Sequence, residues 1–229
     1  MSEAGVVLVV GASRGLGLAL AEAWCSRGWR VIATARGPCP SLEALVKRYP
    51  AGCEIRAVDT ADFESVRTLK SDLAGVRLDI LFVNAGVATG VGDTPLTASE
   101  GDYLQMMLVN ALSPVRFVEA FEDLVAEDGV IAVMSSELGS ISGNSGFWTL
   151  YSSSKAALNM LMKGFAGRRQ SFRRAVILVA PGWVRTDMGG PQAHLGLEES
   201  IPLVVEMVEA QRGRPGLRFL DRFGVELPW

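Results

Sequence analysis

Tyr151 and Lys155 stand four positions apart in the stretch Leu-Tyr-Ser-Ser-Ser-Lys, at the opening of a helical pattern. That spacing places both side chains on one helix face, about one turn or roughly 5.4 Å apart along the axis. A phenol with an ordinary pKa of about 10 is a poor acid–base catalyst at neutral pH, but a nearby ammonium stabilises the phenolate and draws that value down. Ser135 or Ser136, just upstream across an irregular stretch, supplies a hydroxyl for an oxygen whose charge changes in a reaction. The sequence leaves the choice between the two serines open. A Tyr-x-x-x-Lys pair also arises by chance in many helices, so its meaning depends on the rest of the chain.

The elements that would carry such a site alternate from the start. Val6–Val10 is an uninterrupted apolar run (VVLVV), as expected of a parallel strand covered on both faces. It leads into Gly11-Ala-Ser-Arg-Gly-Leu-Gly17 and an alanine- and leucine-rich helix to about Arg27. Strand, glycine turn and helix together form the opening of a dinucleotide-binding unit. The glycines permit a tight turn and close backbone approach, and the helix start offers free N–H groups to a pyrophosphate.

Trp29–Ala35 reads as the second strand. The position at its end, where a carboxylate would hold the ribose 2′-hydroxyl of NAD, is Ala35, followed by Arg36, with Arg14 inside the glycine turn. Two guanidiniums and no carboxylate suit a 2′-phosphate. NADP(H) is therefore favoured over NAD(H), unless both arginines are ordinary surface residues.

Further along, Ser41 caps a short helix to Arg48, Glu54–Val58 is a strand, and a helix spans about 61–73. Asp59 either contacts the adenine amino group or caps that helix. Asp79–Val83 is a fourth strand ending in Asn84-Ala85-Gly86, at the kind of edge where open α/β sheets bind ligands. A helix over about 98–125 contains Asn110 and Pro114. The proline implies a kink with freed backbone groups, so Asn110 either positions a water or is a buried amide with its bonds satisfied. Gly129–Met134, Ala175–Val179 and a segment near Leu217–Leu220 are further strands, and helices run over about 151–169 and 197–211. The expected fold class is α/β: a single-domain Rossmann fold over residues 1–229, a doubly wound parallel sheet of about seven strands with helices on both faces. Residues 187–197 are a substrate loop or lid, and Phe147, Trp148, Trp183 and Met188 border a pocket suited to a hydrophobic aldehyde or ketone.

A net charge of −3 argues against general nucleic-acid binding. No apolar run reaches the length of a membrane span, and the opening MSEAG enters a strand without a signal peptide. Cys25, Cys39 and Cys53 lack metal or redox-motif spacing. Free thiols in a reducing cytoplasm are the simplest reading, and no metal site is expected. His194, the sole histidine, belongs to the lid or surface rather than to catalysis.

With GASRGLG, NAG, Asn110, Ser136, YSSSK and PGWVRT in this order, the chain resembles the short-chain dehydrogenase/reductase family over essentially its whole length. The ELGSI stretch, PGWVRTDMGG and the closing Pro-Trp resemble the branch of C-factor and sniffer-type carbonyl reductases. The resemblance implies a catalytic tetrad of Asn110, Ser136, Tyr151 and Lys155. It implies a cofactor set of Gly11, Ser13, Arg14, Gly15, Leu16, Gly17, Arg36, Asp59, Thr60, Asn84, Ala85, Gly86, Pro181, Gly182, Val184 and Thr186, joined by Tyr151 and Lys155. Val83 replaces a second asparagine usual before NAG, and Ser136 and Tyr151 are separated by slightly more residues than usual. The implied activity is reversible hydride transfer between NADP(H) and a small-molecule carbonyl or alcohol, with Tyr151 as general acid/base, Lys155 lowering its pKa and Asn110 holding a water. A dinucleotide-binding signalling or sensing protein, C-factor-like and with little turnover, is the alternative. A homodimer or homotetramer is expected, with extra apolar residues such as Met160 and Leu161 at the contact.

Overall fold

The computed structural model describes residues 4–169 and 172–229. The elements are β1 (Val6–Val10), α1 (Gly15–Ser26), β2 (Arg30–Ala35), α2 (Pro40–Arg48), β3 (Cys53–Ala57), α3 (Phe63–Asp72), β4 (Leu78–Val83), α4 (Glu100–Met107), α5 (Ser113–Phe121), β5 (Val125–Met134), α6 (Thr149–Gly167), β6 (Ala175–Ala180), α7 (Leu197–Glu209) and β7 (Gly216–Asp221). The strands form one parallel sheet in the order β3-β2-β1-β4-β5-β6-β7.

Alternate residues of each strand face opposite sides of the sheet. Val7 and Val9 enter one apolar layer with Leu20 and Trp24 of α1, Leu42 and Leu45 of α2, and Val204 and Val208 of α7. Leu8 and Val10 enter the other, with Val66 and Leu69 of α3, Phe117 and Phe121 of α5, and Leu158 and Phe165 of α6. Both faces are covered, which is why β1 reads as apolar throughout rather than alternating. Each large side chain buried this way contributes about 1.5–3 kcal/mol relative to exposure.

From β1 the chain builds outward to β2 and β3, then crosses back to lay β4 on the other side of β1. Connections leaving the carboxyl ends of β1 and β4 therefore diverge, opening a crevice there. The glycine turn and the Asn84-Ala85-Gly86 segment occupy its two lips.

The structure corrects several boundaries. Cys39, not Ser41, is the cap residue of α2, and Pro40 fills the first helical position, where its fixed φ and missing N–H cost least. β5 begins at Val125 rather than Gly129, with a register irregularity where it pairs with Leu78 and Ile80. The long helix expected over 98–125 is divided by a π-helical turn, Leu108–Leu112. Pro114 has no N–H to give the Asn110 carbonyl four residues earlier, and the Ser113 N–H reaches back to Leu108 instead. The three cysteines are free and buried. No helix among the described residues is long and apolar enough to cross a membrane.

Candidate active site

A cavity of about 710 Å³ runs along the carboxyl edge of the sheet. At one end lies the glycine turn. Gly11 has φ +83°, and a Cβ there would stand 2.9 Å from the Ala85 backbone. Asn84 donates from Nδ2 to the Gly11 carbonyl at 2.8 Å, and Thr34 Oγ1 accepts from the Gly11 N–H at 3.1 Å. These bonds tie the turn to both neighbouring strands. Helix α1 starts with no side-chain cap on its first N–H groups and no acidic residue in its first turn, which leaves that end electropositive and open to an anion.

Gly11, Ser13, Arg14, Gly15, Leu16, Arg36, Asp59, Thr60, Asn84, Ala85 and Gly86 all line this cavity, as do Pro181, Gly182, Val184 and Thr186. Gly17, expected among the cofactor contacts, does not line it. A Cβ at Gly17 would collide with the Gly11 carbonyl, so its part is to let α1 pack beneath the turn. Beside the end of β2, Arg36 is exposed and borders the cavity. Arg14 pairs with Asp187 at 2.9 Å, both exposed. Asp59 does not cap α3, because Asp62 does so through the Glu64 N–H. Asp59 Oδ1 instead accepts from the Ala61 N–H at 2.9 Å, in a local turn that holds the carboxylate at the cavity wall. A dinucleotide fits these features: an uncapped helix start, close backbone approach and a carboxylate-free second-strand end with an arginine beside it.

Ser136, Tyr151 and Lys155 line the same cavity, Lys155 Nζ close to Gly86. Tyr151 and Lys155 are 8% and 3% exposed. Lys155 Nζ donates to the Met134 carbonyl at 2.9 Å and lies 5.7 Å from the Tyr151 ring centroid. Both serines line the cavity, but they differ in their bonds. Ser135 is buried and its hydroxyl donates to Asn159 Oδ1 at 2.7 Å, whereas the Ser136 hydroxyl is bonded with Tyr151. Burial holds Tyr151 above the ordinary phenol range, with the Ser136 hydroxyl opposing part of that rise. Burial also lowers Lys155 to about 8. The expected depression of Tyr151 by Lys155 is therefore not what the protein alone produces, since desolvation dominates both groups.

Asn110 is fully buried and lies behind the cavity rather than on it. Its amide accepts from the Val87 N–H at 2.8 Å, and donates to the Val87 carbonyl at 2.7 Å and to Ser154 Oγ at 3.0 Å. The side chain is thus a buried amide with its bonds satisfied. It fixes the loop following Gly86 against α6.

Phe147 stacks on Trp148 at 5.3 Å, and Trp148 meets Tyr151 edge-on at 5.8 Å. Trp183 packs against Phe147 and His194. Trp148 is the one non-glycine residue with positive φ among the described residues, at 48°, so the backbone is strained where it sets this aromatic wall. The loop after β6 is tied at its base by a bridge between Val184 and Leu195, and Gly189 is pinned by Thr186 Oγ1 at 3.0 Å. His194 borders the cavity in that loop. Thr34, Gln105, Leu138 and Arg222 also line the cavity and were not anticipated. Only Thr34 left a sequence signal, as the lone hydroxyl within the apolar run 31–35.

A doubly wound sheet with a glycine turn at the switch point and a serine–tyrosine–lysine cluster across the cavity defines a nucleotide-dependent dehydrogenase class. Residues 5–194 match the short chain dehydrogenase family, and the chain belongs to that family. It is 45% identical, with a TM-score of 0.96, to a putative short-chain dehydrogenase/reductase from Burkholderia multivorans with bound NADP, covering 99% of this chain and 100% of that one. C-signal of Myxococcus xanthus is 30% identical over 72% of this chain and 100% of its own. The carbonyl reductase Sniffer of D. melanogaster is 28% identical with a TM-score of 0.88, over 99% of this chain and 100% of its own. The expected branch, with C-factor and sniffer-type relatives, is thus borne out.

Proposed function

We propose that the protein is an NADP(H)-dependent oxidoreductase that interconverts a carbonyl compound and its alcohol, with Tyr151 as general acid/base. The observation that carries this reading is the convergence of Ser136, Tyr151 and Lys155 on the cavity that the glycine turn, Arg14 and Arg36 also line. The glycine turn would hold the pyrophosphate of NADP(H) and Arg36 its 2′-phosphate, and the bound cofactor would supply or accept the hydride. Ser136 donates a hydrogen bond to the carbonyl oxygen, and that bond strengthens as negative charge gathers there. Tyr151, kept protonated by burial, passes its proton to the same oxygen. Lys155, fixed by the Met134 carbonyl, sets a positive charge beside the phenolate left behind. The Asn110 main-chain carbonyl, to which Pro114 offers no N–H, holds the water expected at this position. The aromatic wall excludes bulk water, and residues 187–197 cover the nicotinamide end.

A binding-only sensing role would leave this buried tyrosine–lysine pair without a task. Exposed Leu104, Leu112, Met160 and Leu161 support self-association, and the free thiols suit a cytoplasmic setting. The test is fluorescence titration with NADPH and NADH, followed by NADPH consumption over a panel of aldehydes and ketones. Selective NADPH binding with turnover of a carbonyl is expected. Tyr151→Phe should lose about 10²–10⁴-fold in turnover while its NADPH affinity stays within about twofold. Normal turnover by that variant would overturn the proposal.

A further inference from the structure

Arg222 is a cation in the cavity wall that the reduction chemistry leaves without a task. β6 and β7 run in register with Ala180 opposite Asp221, so Arg222 comes level with Pro181 just beyond the carboxyl edge of the sheet. A Cβ at Gly182 would stand 2.8 Å from Arg222 Nη1; the missing side chain there is what gives the guanidinium its place. On its other side, Cζ lies 4.3 Å from the Phe223 ring centroid. The side chain is half-buried and borders the cavity.

Nearby charges are already engaged. Arg14 pairs with Asp187. Arg185 reaches Glu199 at 3.5 Å and the His194 carbonyl at 3.0 Å. Asp221 Oδ1 accepts from the Phe223 and Val225 N–H groups, and Glu137, which also lines the cavity, is exposed. Among the described residues Arg222 has no ion pair and no hydrogen-bond acceptor. A partly desolvated guanidinium held over a glycine lacks only an anion, and its planar fork matches a carboxylate in two-pronged fashion.

We propose that Arg222 anchors a carboxylate on the substrate, so that the preferred substrates are carbonyl compounds bearing a carboxylate away from the reacting C=O. The proposal rests on the reductase reading and names its substrate class. Trp148 and Trp183 pack the apolar part between the two ends. A cofactor phosphate would satisfy the same chemistry, and the measurements separate the two sources.

The first arm needs no turnover: calorimetric titration of the NADP⁺-loaded protein with benzoate and with benzamide, for the unaltered chain, Arg222→Gln and Arg222→Lys. Benzoate should bind at least about tenfold more tightly than benzamide, the size expected of a charge-assisted contact. Arg222→Gln should abolish that margin and Arg222→Lys restore part of it. The second arm compares 4-carboxybenzaldehyde with methyl 4-formylbenzoate. The ratio of their kcat/KM values should fall about tenfold or more in Arg222→Gln, with NADPH affinity within about twofold. An unchanged benzoate margin in Arg222→Gln overturns the proposal, and so does a loss of NADPH affinity, which would assign the guanidinium to the cofactor. Carboxylate selectivity in binding without turnover of either aldehyde would uphold the anchor and count against the reductase reading alone.

Discussion

Lys155 donates from Nζ to the main-chain oxygen of Met134 at 2.9 Å, joining α6 to the end of β5 one residue before Ser135. The ammonium, the phenol of Tyr151 and the hydroxyl of Ser136 are thus positioned by one connection between a helix and a strand. A buried lysine with a carbonyl partner but no carboxylate is a strained charge, and that has consequences for pH.

Reduction should slow as pH rises through the Lys155 pKa of about 8. Tyr151, pushed upward by burial, remains a proton donor across the neutral range, so the falling limb belongs to the lysine. Lys155→Arg, whose charge does not titrate, should lower the rate and remove that limb. Stability responds in the same window. The folded chain holds the Lys155 proton less tightly than the unfolded chain, so between about 8 and the ordinary 10.5 the unfolded state binds more protons. The lysine's contribution to stability therefore rises with pH there. Melting temperatures of Lys155→Met should lose that part of the rise, and an identical slope in both proteins would contradict the assignment.

Cofactor choice should rest on Arg36 more than Arg14. The Arg14–Asp187 pair is exposed on both sides, and such pairs contribute only about 0–1 kcal/mol. Arg36 borders the cavity beside the carboxyl end of β2, where a carboxylate would select a ribose hydroxyl. Arg36→Asp should weaken NADPH binding about 10–100-fold, as expected for loss of a charged contact, and strengthen NADH binding. Fluorescence titration of both nucleotides checks this; parallel losses for the two would show a structural effect instead.

What the sequence disclosed was what local chemistry determines. β1 is readable because both its faces are buried, and the glycine turn because backbone must approach backbone. Tyr151 and Lys155 are readable because helical periodicity fixes their relation. The failures have a common physical origin in the third dimension. Ser135 and Ser136 are neighbours just past the end of β5, and what distinguishes them is the bond from the Ser135 hydroxyl to Asn159 on α6, which no local pattern announces. Gly17 follows the same motif as Gly11 yet serves helix packing. Arg222 follows β7, and its arrival beside Gly182 depends on the register of the last two strands. The proline signal foretold an irregular helix, but not that the Asn110 amide would be spent on Val87 and Ser154.

Asn110→Ala should act on stability before chemistry. The change leaves the part-buried Val87 N–H and carbonyl without their amide partner, while the Ser154 hydroxyl keeps its bond to the Tyr151 carbonyl, and each unpaired buried group costs about 1–3 kcal/mol. A loss of about 2–4 kcal/mol in urea unfolding is expected once relaxation and water entry are allowed for. The main-chain carbonyl survives the substitution, so turnover per folded molecule should fall far less than in Tyr151→Phe. Equal losses of turnover in the two variants would return the amide to a direct part in proton transfer.

Trp229 should govern the loop that carries the aromatic wall. Its main-chain oxygen accepts from Ser142 Oγ at 2.9 Å and from the Ser142 N–H at 3.3 Å. Its ring lies 5.2 Å from Lys163 Nζ and 5.8 Å from the Phe219 ring. Trp229→Ala keeps the main-chain oxygen but removes the packing that places it, so the Ser142 contacts become intermittent. Hydrogen exchange over 140–148 should quicken while exchange in β1 and β4 stays unchanged. With the positive-φ Trp148 released from that constraint, KM for aromatic aldehydes should rise several-fold, with NADPH affinity little altered. Unchanged exchange in this loop would show that Phe147 and Trp148 are held by their own stacking and by Trp183, independently of the tail.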